Sequence, residues 1–130
     1  MKICTNIEQS KKLAEILPIE SADMYWAIDE IPFLAFPVND IVTDCEYAMG
    51  NGMLPAWSLA ALVGVLPVMI DYKGSLIRLR MDKGNVGQDD YAIWYDDLDN
   101  GLSTNIASEA KNFIDAAYEM IIKLHELNLI

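Results

Sequence analysis

Positive charge is what this chain has least of in its middle. From residue 13 to residue 72 there is no lysine or arginine. Nine carboxylates fall in the same span: Glu15, Glu20, Asp23, Asp29, Glu30, Asp40, Asp44, Glu46 and Asp71. Over the whole chain 9 Lys+Arg stand against 20 Asp+Glu, for a net charge of −11. A binder of the phosphate backbone needs a basic footprint, and docking on anionic lipid needs basic clusters. Neither nucleic acid nor membrane is therefore expected as a partner. Cysteine is nearly missing too. Cys4 and Cys45 are the two present, and neither sits in a CxxC or metal-spaced pattern. The N-terminal run Met1–Glu8 has no apolar core of the kind a secretory signal carries. The expectation is a reducing cytoplasm with two free thiols packed as small hydrophobes.

The equipment of catalysis is equally thin. His125 is the one histidine, and its place near the end of a helical pattern suits a cation at a helix C-terminus. There is no phosphate loop, dinucleotide fingerprint or nucleophile elbow. No catalytic residue and no cofactor is expected, and the reading leans away from an enzyme. The acidic run Asp96-Asp97-Leu98-Asp99-Asn100-Gly101 holds the best metal candidates, Asp96, Asp97 and Asp99. They supply the oxygens that calcium takes. The EF-hand register fails, however, because Leu98 falls at the third loop position and Ala107 replaces the closing glutamate. An acidic hairpin turn is the simpler reading.

Hydrophobic residues make up 53% of the chain, which argues against disorder. At 130 residues a single domain, 1–130, is the default. The longest uncharged stretch is Met53–Ile70. Pro55 and Pro67 bracket about eleven residues of it, roughly 16 Å of helix and half of a bilayer core. The expected element is a buried helix from Pro55, as first helical residue, to Val65, with Trp57 in its first turn.

The rest of the chain reads as short alternating elements. Thr5-Asn6-Ile7-Glu8 matches a capping box with Thr5 as N-cap, opening an amphipathic helix that ends by Pro18. Ala22–Ile28 and Phe33–Phe36 read as short strands, Asn39–Gly52 as an undecided segment closing in a Gly-Asn-Gly turn. Then the period becomes two. Val68–Tyr72 and Ser75–Met81 form a hairpin over Lys73-Gly74, with Ile77, Leu79 and Met81 on one face and Arg78 and Arg80 on the other. Asp90–Tyr95 and Leu102–Ile106 continue the meander. The last helix runs from Phe113 to Leu127 with Asn112 as N-cap. The fold class is α+β: three helices packed on a mainly antiparallel sheet of four to five strands.

Four runs, Thr5–Leu13, Ala22–Tyr25, Pro55–Leu59 and Ile114–Met120, resemble a group of small uncharacterised gut-bacterial proteins associated with prophages and other mobile elements. The resemblance spans nearly the whole chain. It implies a cytoplasmic accessory role near a mobile element, and no functional residue is carried over from it.

Function is expected to be protein–protein interaction, with a homodimer as one form. The last helix is apolar over more than one stripe, so it is either sandwiched or offers a face to a partner. Trp57, Trp94, Tyr118 and Ile122 are the candidate interaction residues. Trp57 has a competing reading as a core tryptophan bonded at the helix entry. Tyr25, Trp26, Trp94 and Tyr95 would be a stacking platform or, more simply, sheet packing. A different class of function, an acidic mimic of nucleic acid that inhibits a DNA-binding protein, requires the carboxylates of residues 13–72 to share one face. A hydrolase or metal-binding protein is the third reading.

Overall fold

In a computed structural model, residues 2–27, 35–37, 53–84, 90–100 and 103–130 are described. The chain is α+β; among the described residues there are three helices and two antiparallel sheets. It divides into two compact units, Met1–Leu62 and Val63–Ile130.

The first unit opens with α1 (Ile7–Ala14). Its N-cap is Asn6, not Thr5. Asn6 Oδ1 accepts from the Gln9 N–H at 2.8 Å, and Gln9 Oε1 accepts from the Asn6 N–H at 3.0 Å, which completes a capping box one residue later than Thr5–Glu8. The register moves because the Thr5 hydroxyl is spent elsewhere. It is fully buried, bonded to Ser10 Oγ at 2.7 Å, and accepts the Trp57 N–H at 3.1 Å. After a short 3₁₀ turn at Ile19–Ser21 come β1 (Met24–Ala27), β2 (Ala35–Pro37) and β3 (Met53–Ala56), in sheet order β2-β1-β3. Asn39–Gly52 lies outside the described residues. The α1 helix packs against β3.

The largest correction falls in the central stretch. Pro55 is in β3, paired opposite Tyr25, and α2 begins only at Leu59 and runs to Val65. An edge position tolerates proline, because its absent N–H removes no ladder bond from the unpaired side. The helix entry is set instead by Ser58. Its carbonyl accepts the first helical bond, from Leu62, and its hydroxyl accepts from the Ala61 N–H at 3.2 Å. Asp23 in turn holds Ser58, accepting from its N–H at 2.8 Å and from its hydroxyl.

The second unit is the expected meander. Strands β4 (Met69–Tyr72), β5 (Ser75–Lys83), β6 (Tyr91–Asp97) and β7 (Ser103–Ala110) lie in the order β4-β5-β6-β7, and α3 (Phe113–Glu126) packs on β7 and β6. Asn112 caps α3 as the sequence indicates, accepting from the Asp115 N–H at 2.9 Å. The turn between β4 and β5 has positive φ at both central residues, 52° at Lys73 and 80° at Gly74. That is the hand of turn that matches strand twist.

Inward residues of this sheet include Ile70, Ile77, Ile93, Tyr95 and Ile106. The helix answers with Ile114, Ala117, Met120, Ile121 and Leu124, all buried. The Tyr95 hydroxyl donates to the Pro67 carbonyl at 2.7 Å, and Ser108 Oγ donates to the Ala116 carbonyl at 2.6 Å. Burial pushes the Tyr95 phenol well above the ordinary tyrosine range. Burial accounts for only part of the apolar stripe on α3: Tyr118 and Ile122 are half-buried and Leu127 is exposed.

Candidate functional site

Period-two alternation sends every second residue of β4–β7 to the side opposite α3. The register identifies them. Met69 pairs with Arg78, and Arg78 with Asp96; Asp71 pairs with Leu76. Arg80 stands opposite Trp94, and Trp94 opposite Ala107; Asp82 stands opposite Ala92, and Ala92 opposite Glu109. This is an open sheet face. Met69 is 47% exposed and Leu76 41%, high values for large apolar side chains inside strands. Both arginines of the chain, Arg78 and Arg80, lie here and are exposed. Trp94 is half-buried at the centre, beside a shallow depression lined by Ala92, Ala107 and Glu109.

Asp96 organises that centre. Its Oδ1 accepts from the Trp94 indole N–H at 2.7 Å, and its Oδ2 lies 3.5 Å from Arg80 Nε. The indole is thereby held in place while the arginine is partly neutralised. Arg78 has no ion-pair partner among the described residues. The same holds for Asp71, Asp82 and Glu109, which are exposed toward the ends of the face. Tryptophan, arginine and methionine are the side chains that interface centres favour, and lysine, which they disfavour, is missing from the strand positions paired on this face.

The sequence candidates separate. Trp94 belongs to this face. Trp57 does not: it is fully buried, with its indole N–H donated to Ser21 Oγ at 2.9 Å, which is the core reading. Tyr118 and Ile122 are half-buried on α3 and line a second shallow depression with Glu119, Lys123 and Glu126. Burial and the neighbouring Glu119 carboxylate raise the Tyr118 phenol above its ordinary range. Trp94 and Tyr95 point to opposite sides of β6, one on the open face and one in the core, so they form no common platform.

The acidic run separates in the same way. Asp96 faces the open side. Asp97 closes the turn, accepting from the Asp99 N–H at 2.9 Å, the Asn100 N–H at 3.3 Å and the Asn100 side-chain amide at 3.1 Å. Those bonds, led by the Asn100 side chain, hold its carboxyl below the usual range. Asp99 is exposed at the turn. Among the described residues no group of three or more His, Cys, Asp or Glu is placed to hold a metal ion. Asp90 is paired with Lys111 at 2.8 Å, and Asp89 lies outside the described residues.

His125 is exposed in the last turn of α3. Cys4 is free and buried, and burial raises its thiol. Among the described residues no helix is long and apolar enough to cross a membrane.

What the sequence reading missed is that Met69, Leu76, Arg78 and Arg80 share one surface with Trp94. The signal was present in the alternation of β5. Placing it beside Trp94 needed the pairing of Arg80 with Trp94, a register between strands. No protein-family model, no curated protein and no solved structure matches the chain.

Proposed function

We propose that this protein acts by binding another protein, and that the open face of the β4–β7 sheet is the surface it uses. One observation carries the reading. Met69, Leu76 and Trp94 are gathered with both arginines on a single solvent-facing sheet surface. A lone exposed apolar residue needs no explanation, but Met69, Leu76 and a hydrogen-bonded Trp94 on one face, with Arg78, Arg80 and Asp96 between them, form the mixed apolar and charged surface that interfaces use. The sequence resemblance supports an accessory role in the cytoplasm near a mobile element, and the buried free thiol of Cys4 suits a reducing compartment.

The test is affinity capture from the native lysate after nuclease treatment, with wild type, Trp94→Ala and Leu76→Arg side by side. Leu76 is 41% exposed and stands opposite Asp71, so an arginine there is accommodated at the surface and isolates the surface effect. Wild type is expected to retain one dominant protein that both variants lose. If the variants capture the same set as wild type, the face is not the binding surface.

A further inference from the structure

We infer that the occupant of this face is a basic polypeptide surface, one with an apolar centre and cationic groups at its flanks. The inference rests on the reading of the open face as a binding surface and adds the chemistry of the partner.

The charges of the face decide it. At the centre Arg80 and Asp96 neutralise one another. At the paired strand positions of this face, what remains without an ion pair among the described residues is one cation, Arg78, against three carboxylates, Asp71, Asp82 and Glu109; Lys73, in the turn beyond Asp71, lies over the Tyr72 ring. The carboxylates stand at the ends. Asp82 and Glu109 flank Ala92 in one row, and Asp71 is opposite Leu76 in another. Leu76 and Asp82 are six residues apart on β5, so the two acidic ends are separated by about 20 Å at the rise of a strand. Between them lie Met69, Trp94 and Ala107 together with Arg78, Arg80 and Asp96. A partner that complements this pattern brings apolar side chains to Trp94 and cations about 20 Å apart to its rim. Opposite Arg78 it presents an acceptor or an aromatic ring.

A second copy of the chain fits poorly. Two such faces brought together would set six unpaired carboxylates against two unpaired arginines. Each molecule also carries −11 as a whole. That net charge repels an acidic partner and steers a basic one.

The experiment uses two synthetic amphipathic helical peptides with the same leucine face. One carries lysines at both ends of its apolar stretch and the other carries glutamates there. Fourteen helical residues, roughly 20 Å, match the separation of the acidic ends. Binding to the full chain is followed by NMR at the Trp94 indole and the Arg78 amide, and by calorimetry. The lysine-ended peptide is expected to bind about tenfold or more tightly than the other at low salt, with the preference shrinking as salt screens the rim. Its effect should concentrate on Trp94 and vanish in Trp94→Ala. Substituting Asp82→Asn with Glu109→Gln should remove most of the preference.

Equal binding of the two peptides, or preference for the glutamate-ended one, overturns the basic partner while leaving the face intact as a binding surface. Shifts spread over the whole acidic surface overturn it as well, as does binding by neither peptide. A concentration-dependent dimer in sedimentation velocity that is lost in Trp94→Ala would make the second copy the occupant.

Discussion

Thr5 shows how one side chain decides between two equally good local patterns. Thr5-x-x-Glu8 and Asn6-x-x-Gln9 are both N-terminal signatures. The threonine hydroxyl is drawn inward, where it accepts from the Trp57 N–H and bonds Ser10, while the Thr5 carbonyl accepts from the Trp26 indole at 2.8 Å. Removing that hydroxyl leaves a buried N–H without its partner, which costs more than a lost exposed bond. Thr5→Val is expected to destabilise the protein by about 2 kcal/mol or more, and Thr5→Ser by far less, measured by urea unfolding. Equal effects of the two would remove the hydroxyl from this role.

Tyr95 permits a second test at the same scale. Its phenol ionises at higher pH in the folded chain than in the unfolded one, because burial disfavours the phenolate. Its contribution to stability is therefore complete below pH about 10 and declines as pH rises beyond that. In an ultraviolet titration Tyr95 should ionise together with unfolding. Tyr95→Phe should show a shallower loss of stability at alkaline pH than wild type.

Among the elements, the hairpins carry the sharpest expectations. In the β4–β5 turn Lys73 holds a positive φ that suits glycine or asparagine better, and Gly74 holds one that an alanine would strain. Gly74→Ala is expected to cost about 1–2 kcal/mol, and Lys73→Asn to stabilise slightly, both read as shifts in thermal midpoint. In the β6–β7 turn the lowered carboxyl of Asp97 sets the sign. A depressed folded-state value stabilises above the ordinary carboxylate range and is lost as pH falls through it. The Asp99 and Asn100 amide resonances should move with the titration of Asp97 on acidification. Asp97→Ala should abolish that movement. If the amides move at the same pH in the variant, Asp97 is not the group that closes the turn.

At the scale of the whole molecule the net charge and the open face pull in opposite directions. A charge of −11 keeps copies apart, while Met69, Leu76 and Trp94 remain exposed or half-exposed. As pH falls toward the sequence pI near 4.2 the repulsion disappears and the apolar face remains. Light scattering is therefore expected to show self-association near that pH, and Trp94→Ala with Leu76→Thr to reduce it. Scattering unchanged by the two substitutions would place the adhesive surface elsewhere.

Local order in this chain was legible wherever period and punctuation agreed. The α+β class, the four-strand meander, the Lys73-Gly74 turn and the Asn112 cap follow from alternation, turn residues and capping chemistry, which act over a few residues and are written in consecutive positions. Tertiary structure alone decided three matters. It placed Pro55 in an edge strand, because pairing with β1 outweighs the helix-start preference of proline and leaves Ser58 to open α2. It drew Thr5 into the core, because a buried N–H on Trp57 needs an acceptor that solvent does not supply there. It also assembled the open face, because strand register brings Met69, Leu76, Arg78, Arg80 and Trp94 together from positions spread over residues 69–94. A surface of that kind exists only once the strands are paired.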